Sequence, residues 1–451
     1  MSSIEETNLI NSLKERFPEK FTFKTVIEDD SLLKKFGINI GGKENFPEVF
    51  LKMFPQDFIV EEIDVDNILH SVSKDGIEKN GNGRYVGATL VKCGMSTLEV
   101  VHDIAFKLNI DSKNISYAGI KDKKAITSQK IVLPGKYKEE LLSIQSDNYF
   151  IKDIHDTLQP LSPGNLKANQ FTILLRTNEK VDIEKQIDFV KKNGFKNFYY
   201  LQRFGSPRLL SQKYGYYMVK GLCDRVIESV LFEKGIFEID YFVELRSKAK
   251  NLAPDWLAIK EVFKDFPTIL KTEHRLLDAL IENDGNAIKS LCVIKDQTQM
   301  WAYAFASLLF NNLASVRDDK TLPLCLTLNS RVHDLYKDIY KIINIKPDEF
   351  KNIKNFPFIN LTDRKVDVFS SVEIKKVEVV PGLGIILQFI LPKGAYATTF
   401  ISHFADIISA KEDVDVNKEL VDIRGILGDN SFSSVFEKFK KISGVETEAV
   451  E

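Results

Sequence analysis

The chain has 451 residues and carries 62 Lys and Arg against 64 Asp and Glu, a net charge of −2; the length exceeds one ordinary domain and points to two or three compact units. Apolar residues make up 44%, with an unusually high 32 Phe, which is enough for sizeable cores, yet no apolar run reaches the roughly 18–20 residues of a membrane span. Four widely spaced cysteines (Cys93, Cys223, Cys292, Cys325) form no CxxC pair, which argues against a disulfide framework or a cysteine-based zinc site and suits a reducing compartment.

The N-terminus, Met1-Ser-Ser-Ile-Glu-Glu6, lacks the basic-then-apolar order of a signal peptide, so a cytoplasmic protein is expected. Leu9 to Phe17 reads as a short helix, followed by irregular chain of mixed charge to residue 50. Gly37 to Lys43 fits the GxxxxGK half of a phosphate-binding loop. Glu44, however, stands where Ser or Thr must hold magnesium, and Ser31 to Lys35 reads as helix where a strand is required, so a plain turn is expected. Phe58 to Val60 opens a strand that turns acidic at Glu61 and Glu62. Lys74 to Gly83 is glycine-rich loop, and Tyr85 to Val91 is strand. Ser96 or Thr97 caps a helix with Glu99 in its first turn, ending near Leu108. Ile115 to Ala118 is a short strand leading into Gly119-Ile-Lys-Asp122, then a helix-like stretch, then a strand near Ile131 to Leu133. Phe171 to Arg176 is strand, and Asp182 to Lys192 is an amphipathic helix closed by Asn193-Gly194. Helical patterning dominates residues 225 to 375, as at Trp256 to Phe263 and Thr298 to Val316. Strands return at Val377 to Val380 and Ile385 to Leu391, Thr398 to Ile408 reads as helix, and the chain ends in the acidic Glu446 to Glu451.

Charge is clustered although the total is near zero. Residues 113–138 hold seven Lys and one Asp, and residues 191–213 hold four Lys and two Arg without an acid. Attraction to phosphate acts over a Debye length of roughly 8–10 Å, so such clusters, flanked by aromatics, favour RNA over a merely solvated face. The six histidines are scattered with no HExxH, so no metal is expected. No GxSxG elbow marks a hydroxyl nucleophile.

Two segments carry chemistry. In Tyr117-Ala-Gly-Ile-Lys-Asp-Lys-Lys-Ala-Ile-Thr-Ser-Gln129 a single acid, Asp122, follows a strand and a glycine and sits among Lys121, Lys123 and Lys124. Flanking cations keep such a carboxylate ionised and available as a nucleophile. Taken alone, a surface loop whose acid neutralises its lysines is the commoner explanation. Gly194-Phe-Lys-Asn-Phe-Tyr-Tyr-Leu-Gln-Arg-Phe-Gly205 packs five aromatics with Asn197, Gln202 and Arg203. Unpaired bases need π-faces to stack on and amides to read their edges; burial of some rings in a core is expected as well.

At these segments the chain resembles the TruD family of tRNA pseudouridine synthases. The family's AGxKDxxAxTxQ is matched by Ala118 to Gln129, and its NYFGxQRFG by Asn197 to Gly205. Pro55 to Ile63 resembles PEDFxVxE, Leu161 to Ile173 resembles GxLxGNxFxI, and Leu391 to Thr398 resembles LPxGxFAT. Phe198, Tyr199 and Tyr200 replace Tyr, Phe and Gly of the pattern, and Tyr396 replaces Phe. The resemblance implies an α+β protein: a mixed β-sheet pseudouridine-synthase catalytic domain (residues 51–214 and 376–412) interrupted by a helix-rich inserted domain (215–375). Residues 1–50 and 413–451 would be extensions. It implies Asp122 as nucleophile, with proton abstraction left open as its main role, and Lys52 beside it, with Phe58, Asn197 and Tyr396 lining the uridine pocket and Tyr199, Lys121, Gln202 and Arg203 as further substrate-binding candidates. It implies a tRNA substrate, at uridine 13 of the D-arm, and a monomer with no cofactor. A non-catalytic RNA-binding protein is the alternative, but it would have no need of Asp122; a glycoside hydrolase would need a second acid that the reactive segment lacks.

Overall fold

The computed structural model describes residues 3–22, 26–41, 46–73, 83–361, 363–408 and 415–442. The expected loop at 74–82, the end of the glycine-rich turn at 42–44 and the acidic tail at 446–451 lie outside them. The centre is a ten-stranded mixed sheet. Its strands along the chain are β1 Glu48–Leu51, β2 Phe58–Asp64, β3 Tyr85–Cys93, β4 Ser116–Tyr117, β5 Ile126–Pro134, β6 Tyr149–Thr157, β7 Leu166–Arg176, β8 Glu373–Val380, β9 Gly384–Pro392 and β10 Asp406–Ile408. In space they run β8-β9-β7-β2-β5-β3-β6, with β1 joined to β7 and β10, and β4 to β5. The pairs β2–β5 and β1–β10 are parallel. This is the α+β architecture expected from the sequence.

Each face of the sheet is covered, so the central strands are buried on both sides. On one face, Val86, Ala88 and Leu90 of β3 pack against Val100, Val101 and Ile104 of the helix Thr97–Lys107. Ser96 starts this helix with the expected capping box: it accepts from the Glu99 amide, and the Glu99 carboxylate accepts from the Ser96 amide. On the opposite face, Ile59, Val91, Ile126, Leu174 and Ile386 meet Phe432, Val435, Phe436 and Phe439 of the C-terminal segment. That segment is thus part of the core of the protein. So is the N-terminal region, where Leu32, Leu33, Phe36 and Ile38 are buried in the main cluster and the side chain of Asp29 caps the helix Asp30–Lys34.

From Ser211 onward helices dominate, as expected from the patterning. The longest, Lys295–Val316, is buried along much of its length and crosses the helix Ser211–Lys220 at Gly215. A β-carbon on Gly215 would stand 2.2 Å from the Trp301 carbonyl oxygen, so no larger residue allows this crossing.

Two local expectations are corrected. The stretch after Asp122 is not helical: the chain passes irregularly from Gly119 to Ala125 and enters β5 at Ile126. The β-branched Ile126, Thr127, Ile131 and Val132 favour the sheet, and both neighbours of β5 supply a ladder, which outweighs the helix propensity of Lys123-Lys-Ala125. Thr398 to Ile408 is helical only within Ala397–Ile401; its end becomes β10, drawn into the sheet by parallel pairing with β1.

One ion pair fastens three parts of the chain. Arg176, at the end of β7, donates two hydrogen bonds of 2.7 Å to Asp57, and its remaining hydrogens reach the carbonyls of Asn417 and Glu419. Both partners are wholly buried. Removing one strands the other without solvent, so Arg176→Met should lower stability by about 3–5 kcal/mol, read as a fall in the urea midpoint. Asp57→Leu combined with Arg176→Met should restore part of that loss.

Candidate active site

Antiparallel partners point the same way, so Phe58, Val60 and Glu62 share a face with Ile173, Phe171 and Asn169, and these with Leu387, Phe389 and Leu391. The segment Gly119 to Ala125 is tied to this face. The Lys121 ammonium is buried between Glu62 Oε2 and Asn169 Oδ1, 2.8 Å from each. The Lys121 amide donates to Thr97 Oγ1 at 2.9 Å, Thr97 donates to Gln129 Oε1 at 2.8 Å, and Gln129 Nε2 donates to the Gly119 carbonyl at 2.9 Å. With Lys121 pinned inward, its neighbour Asp122 faces outward.

Lys52 meets that carboxylate, Nζ lying 2.5 Å from Asp122 Oδ2. Lys52 follows β1 directly and has φ = 60°, a left-handed conformation costing a non-glycine residue roughly 1–2 kcal/mol. Its ammonium also lies 4.0 Å from the centre of the Phe58 ring, a cation–π contact. The Asp122 side chain is 50% exposed and that of Lys52 only 14%, so the lysine is a fixed wall and the carboxylate is open to a ligand. The charge of Lys52 draws the Asp122 carboxyl below its usual range against the effect of burial, with Lys92 and Lys121 adding to the pull. It is therefore anionic at neutral pH.

A second group gathers around the aromatic segment. The Asn197 amide donates to the Val368 carbonyl at 2.8 Å and its Nδ2 to the Gly394 carbonyl at 3.0 Å, while its buried Oδ1 has no partner among the described residues. Tyr396, half-buried, stands 5.8 Å from Tyr199 ring to ring. Arg203 lies over the Tyr199 ring at 5.1 Å and reaches the Tyr396 hydroxyl at 3.4 Å. Tyr199 is itself held by Asn311 of the long helix, which accepts from its amide and donates to its carbonyl and to that of Phe36. Tyr200 is buried, and its phenol is pushed well above the ordinary range by burial first and Glu28 second. Gln202 is exposed on the short turn Leu201–Phe204. The two groups are joined by a run of rings: Phe58 to Phe171 at 6.0 Å, Phe171 to Phe389 at 5.2 Å, and Phe389 to Phe400 at 4.6 Å. Phe400 lies in the helix that Tyr396 precedes.

Of the residues singled out from the sequence, Lys52 thus touches both Asp122 and Phe58, and Asn197, Tyr199, Arg203 and Tyr396 form the second group. Lys121 faces the interior. Glu62, Asn169, Thr97, Gln129 and Lys92 hold the loop, and sequence reasoning gave them no such part. The charge runs also look different in three dimensions. Of the seven lysines in residues 113–138, Lys121, Lys123, Lys130 and Lys138 pair with Glu62, Glu99, Asp64 and Asp156. In the second run Lys196, Arg208 and Lys213 are likewise paired. Much of the apparent positive charge is therefore internal. Among the described residues no three His, Cys, Asp or Glu side chains are gathered as metal ligands, and no helix is long and apolar enough to cross a membrane.

An anionic, lysine-held carboxylate thus stands on a mixed sheet that also carries a run of packed aromatic rings. The profile of the family described as tRNA pseudouridine synthase D (TruD) matches residues 48–332. The chain belongs to that family, and the enzyme class that goes with it is an isomerase acting on tRNA. It is 27% identical over 382 residues to a protein of Methanocaldococcus jannaschii named "Probable tRNA pseudouridine synthase D 1", covering 79% of this chain and 95% of that one. It is 25% identical over 422 residues to the "Probable tRNA pseudouridine synthase D" of Methanosarcina barkeri, covering 79% and 93%. The fold matches the crystal structure of the putative tRNA pseudouridine synthase D of Methanosarcina mazei with a TM-score of 0.62 at 23% identity, over 82% of this chain and 97% of that one.

The electrostatics carry a test. With Lys52 removed, the largest influence lowering the Asp122 carboxyl is gone and burial still opposes its charge. Lys52→Met should therefore raise the Asp122 titration midpoint, followed by carboxyl-carbon NMR. A midpoint that stays put or falls would mean that the pair does not form in solution.

Proposed function

We propose that the protein converts uridine 13 in the D-arm of tRNA to pseudouridine without a cofactor, with Asp122 as the nucleophile. The observation that carries this reading is the half-open Asp122 carboxylate, kept anionic by Lys52, whose ammonium also lies over the Phe58 ring. The reaction is an isomerisation. The bond between ribose C1′ and uracil N1 breaks, the freed base turns, and C5 bonds to C1′; C5 loses a proton and N1 gains one. No electrons enter or leave. What the protein must supply is an anion against the sugar and a pocket that keeps the loose base.

Each group has a part in this reading. Asp122 attacks C1′ and is released when C5 takes its place. Lys52 holds the carboxylate in its reactive form and in one direction. Tyr396, partly open and braced by Arg203 and Tyr199, offers a ring face to the uracil. The Asn197 oxygen, without a partner among the described residues, is an acceptor suited to the uracil N3–H. Lys121 supports the loop from below. A uridine must leave its stack to reach the site, at a cost of a few kcal/mol, and stacking at roughly 1–3 kcal/mol per base offsets this. The mixed sheet with the N- and C-terminal segments packed on it forms the catalytic unit, and the helix-rich insert braces its aromatic segment through Asn311. A monomer in the cytoplasm, with its cysteines unpaired, fits this role.

Asp122→Asn should cut pseudouridine formation by about a thousandfold or more while tRNA binding persists, because the amide keeps the shape and removes the nucleophile. The measurement is tritium release from C5-labelled tRNA alongside filter binding, with product sites mapped by sequencing. Product formed at the ordinary rate by this variant would exclude Asp122 as the nucleophile, and product mapped elsewhere than the D-arm would exclude the assigned target.

A further inference from the structure

Lys92 is set apart from the other lysines around the site. It lies on β3, where Val86, Ala88, Leu90 and Lys92 alternate onto the face covered by the helix Thr97–Lys107. Its side chain is wholly buried, 0% exposed. An ammonium in that position is costly unless it is compensated. The bond it makes is to the main-chain carbonyl oxygen of Asp122, at 2.6 Å. Asp122 is thus gripped at both ends, by Lys52 on its carboxylate and by Lys92 on its backbone. The segment from Gly119 to Ala125 has no regular structure, so this carbonyl depends on a side chain for its partner.

We propose that Lys92 is a positioning residue for the reaction: its ammonium fixes the main chain of Asp122, so that the carboxylate meets Lys52 and the ribose in one orientation, and it places a second positive charge behind that carboxylate. This rests on Asp122 being the nucleophile. The charged and titratable groups around Lys92 are Asp122 and Lys121 on the loop, Glu99 on the covering helix and Cys93 next along the strand. Across β3, Thr127 of β5 does not titrate, and the Tyr149 hydroxyl of β6 is engaged by Asp103. Burial brings the Lys92 ammonium down to about 8, against the upward pull of Asp122, Cys93 and Glu99. Below that pH it is charged and its grip is strongest, because an ionised donor roughly doubles a hydrogen bond. Above it the charge is lost, and both the grip and the field at the carboxylate weaken. A lysine serving only the stability of the fold would leave no such mark on the chemical step.

The experiment is single-turnover conversion of a tRNA transcript as a function of pH, using the full chain, with tRNA affinity measured in parallel. The wild-type rate should fall through one ionisation near pH 8. Lys92→Met should lower the rate roughly ten- to a hundredfold with affinity preserved, and should abolish that alkaline fall. Ionisation of the uridine itself would persist in the variant, so the comparison separates the two causes. A wild-type rate level across pH 8, or a Lys92→Met enzyme with the wild-type rate or the wild-type alkaline fall, would overturn the proposal. If Lys92→Met does not fold, Lys92→Gln, which keeps a donor without the charge, is judged by the same slow and level profile. An active Asp122→Asn enzyme would instead remove the reading on which the proposal rests, an outcome distinct from a normal Lys92→Met enzyme with Asp122→Asn inactive.

Discussion

The strand β7 is the ruler against which the site is assembled. It pairs with β2 on one edge and β9 on the other, and its end also pairs with β1. Lys52 comes one residue after Leu51, which is paired to Leu175. Phe58 is paired to Ile173, and the turn carrying Gly394 and Tyr396 follows Pro392, which is paired to Ala168. Asn169 of β7 holds Lys121 and so sets the outward direction of Asp122. Side chains alternate along a strand, so a slip of one residue in any of these pairings would turn a site residue to the wrong face. The buried Asp57–Arg176 pair at the end of β7 opposes such a slip, because moving it would leave a charge without a partner.

Around this frame the protein spends most of its charge on itself. Glu62 and Glu99 pair with Lys121 and Lys123, which flank Asp122 in sequence, while Lys52 from outside the loop is the cation in contact with its carboxylate. The helical region has a comparable part at the other end of the site. Asn311 takes up both backbone groups of Tyr199, so the aromatic segment gains its second wall from a helix more than a hundred residues away in sequence.

The loop at Asp122 stood out locally, as a strand, a glycine and one acid among lysines, but those signals alone pointed to a charge-balanced surface loop, and only the other ordered motifs gave Asp122 a role. The capping box at Ser96 and the helix closed at Gly194 were legible because they are settled by neighbours three or four residues apart. What failed were assignments decided by remote partners. Thr398 to Ile408 has a plausible helical pattern, but its last residues pair with Glu48 to Phe50. Beyond the short helix at Leu9 to Phe17 the chain to residue 50 read as mostly irregular, yet Leu33 and Phe36 are buried in the same core cluster as Phe305 and Leu309 of the long helix. Lys92 left a faint trace: a lysine in step with Val86, Ala88 and Leu90 on a buried face requires a partner. The partner is a backbone carbonyl, which no residue pattern reveals.

The pairing of β9 with β7 joins segments more than two hundred residues apart, and Gln56 donates to the carbonyl of Phe439 near the other end of the chain. During synthesis, Asp122 and Lys52 leave the ribosome long before Tyr396 and the covering C-terminal helix. Contacts of such long separation are slow to form and leave apolar strand edges open meanwhile. The growing chain thus carries the Asp122–Lys52 pair, and nearly all of it must be made before the ring of Tyr396 can join Tyr199. A truncated product would be exposed as misfolded protein before it could act on RNA.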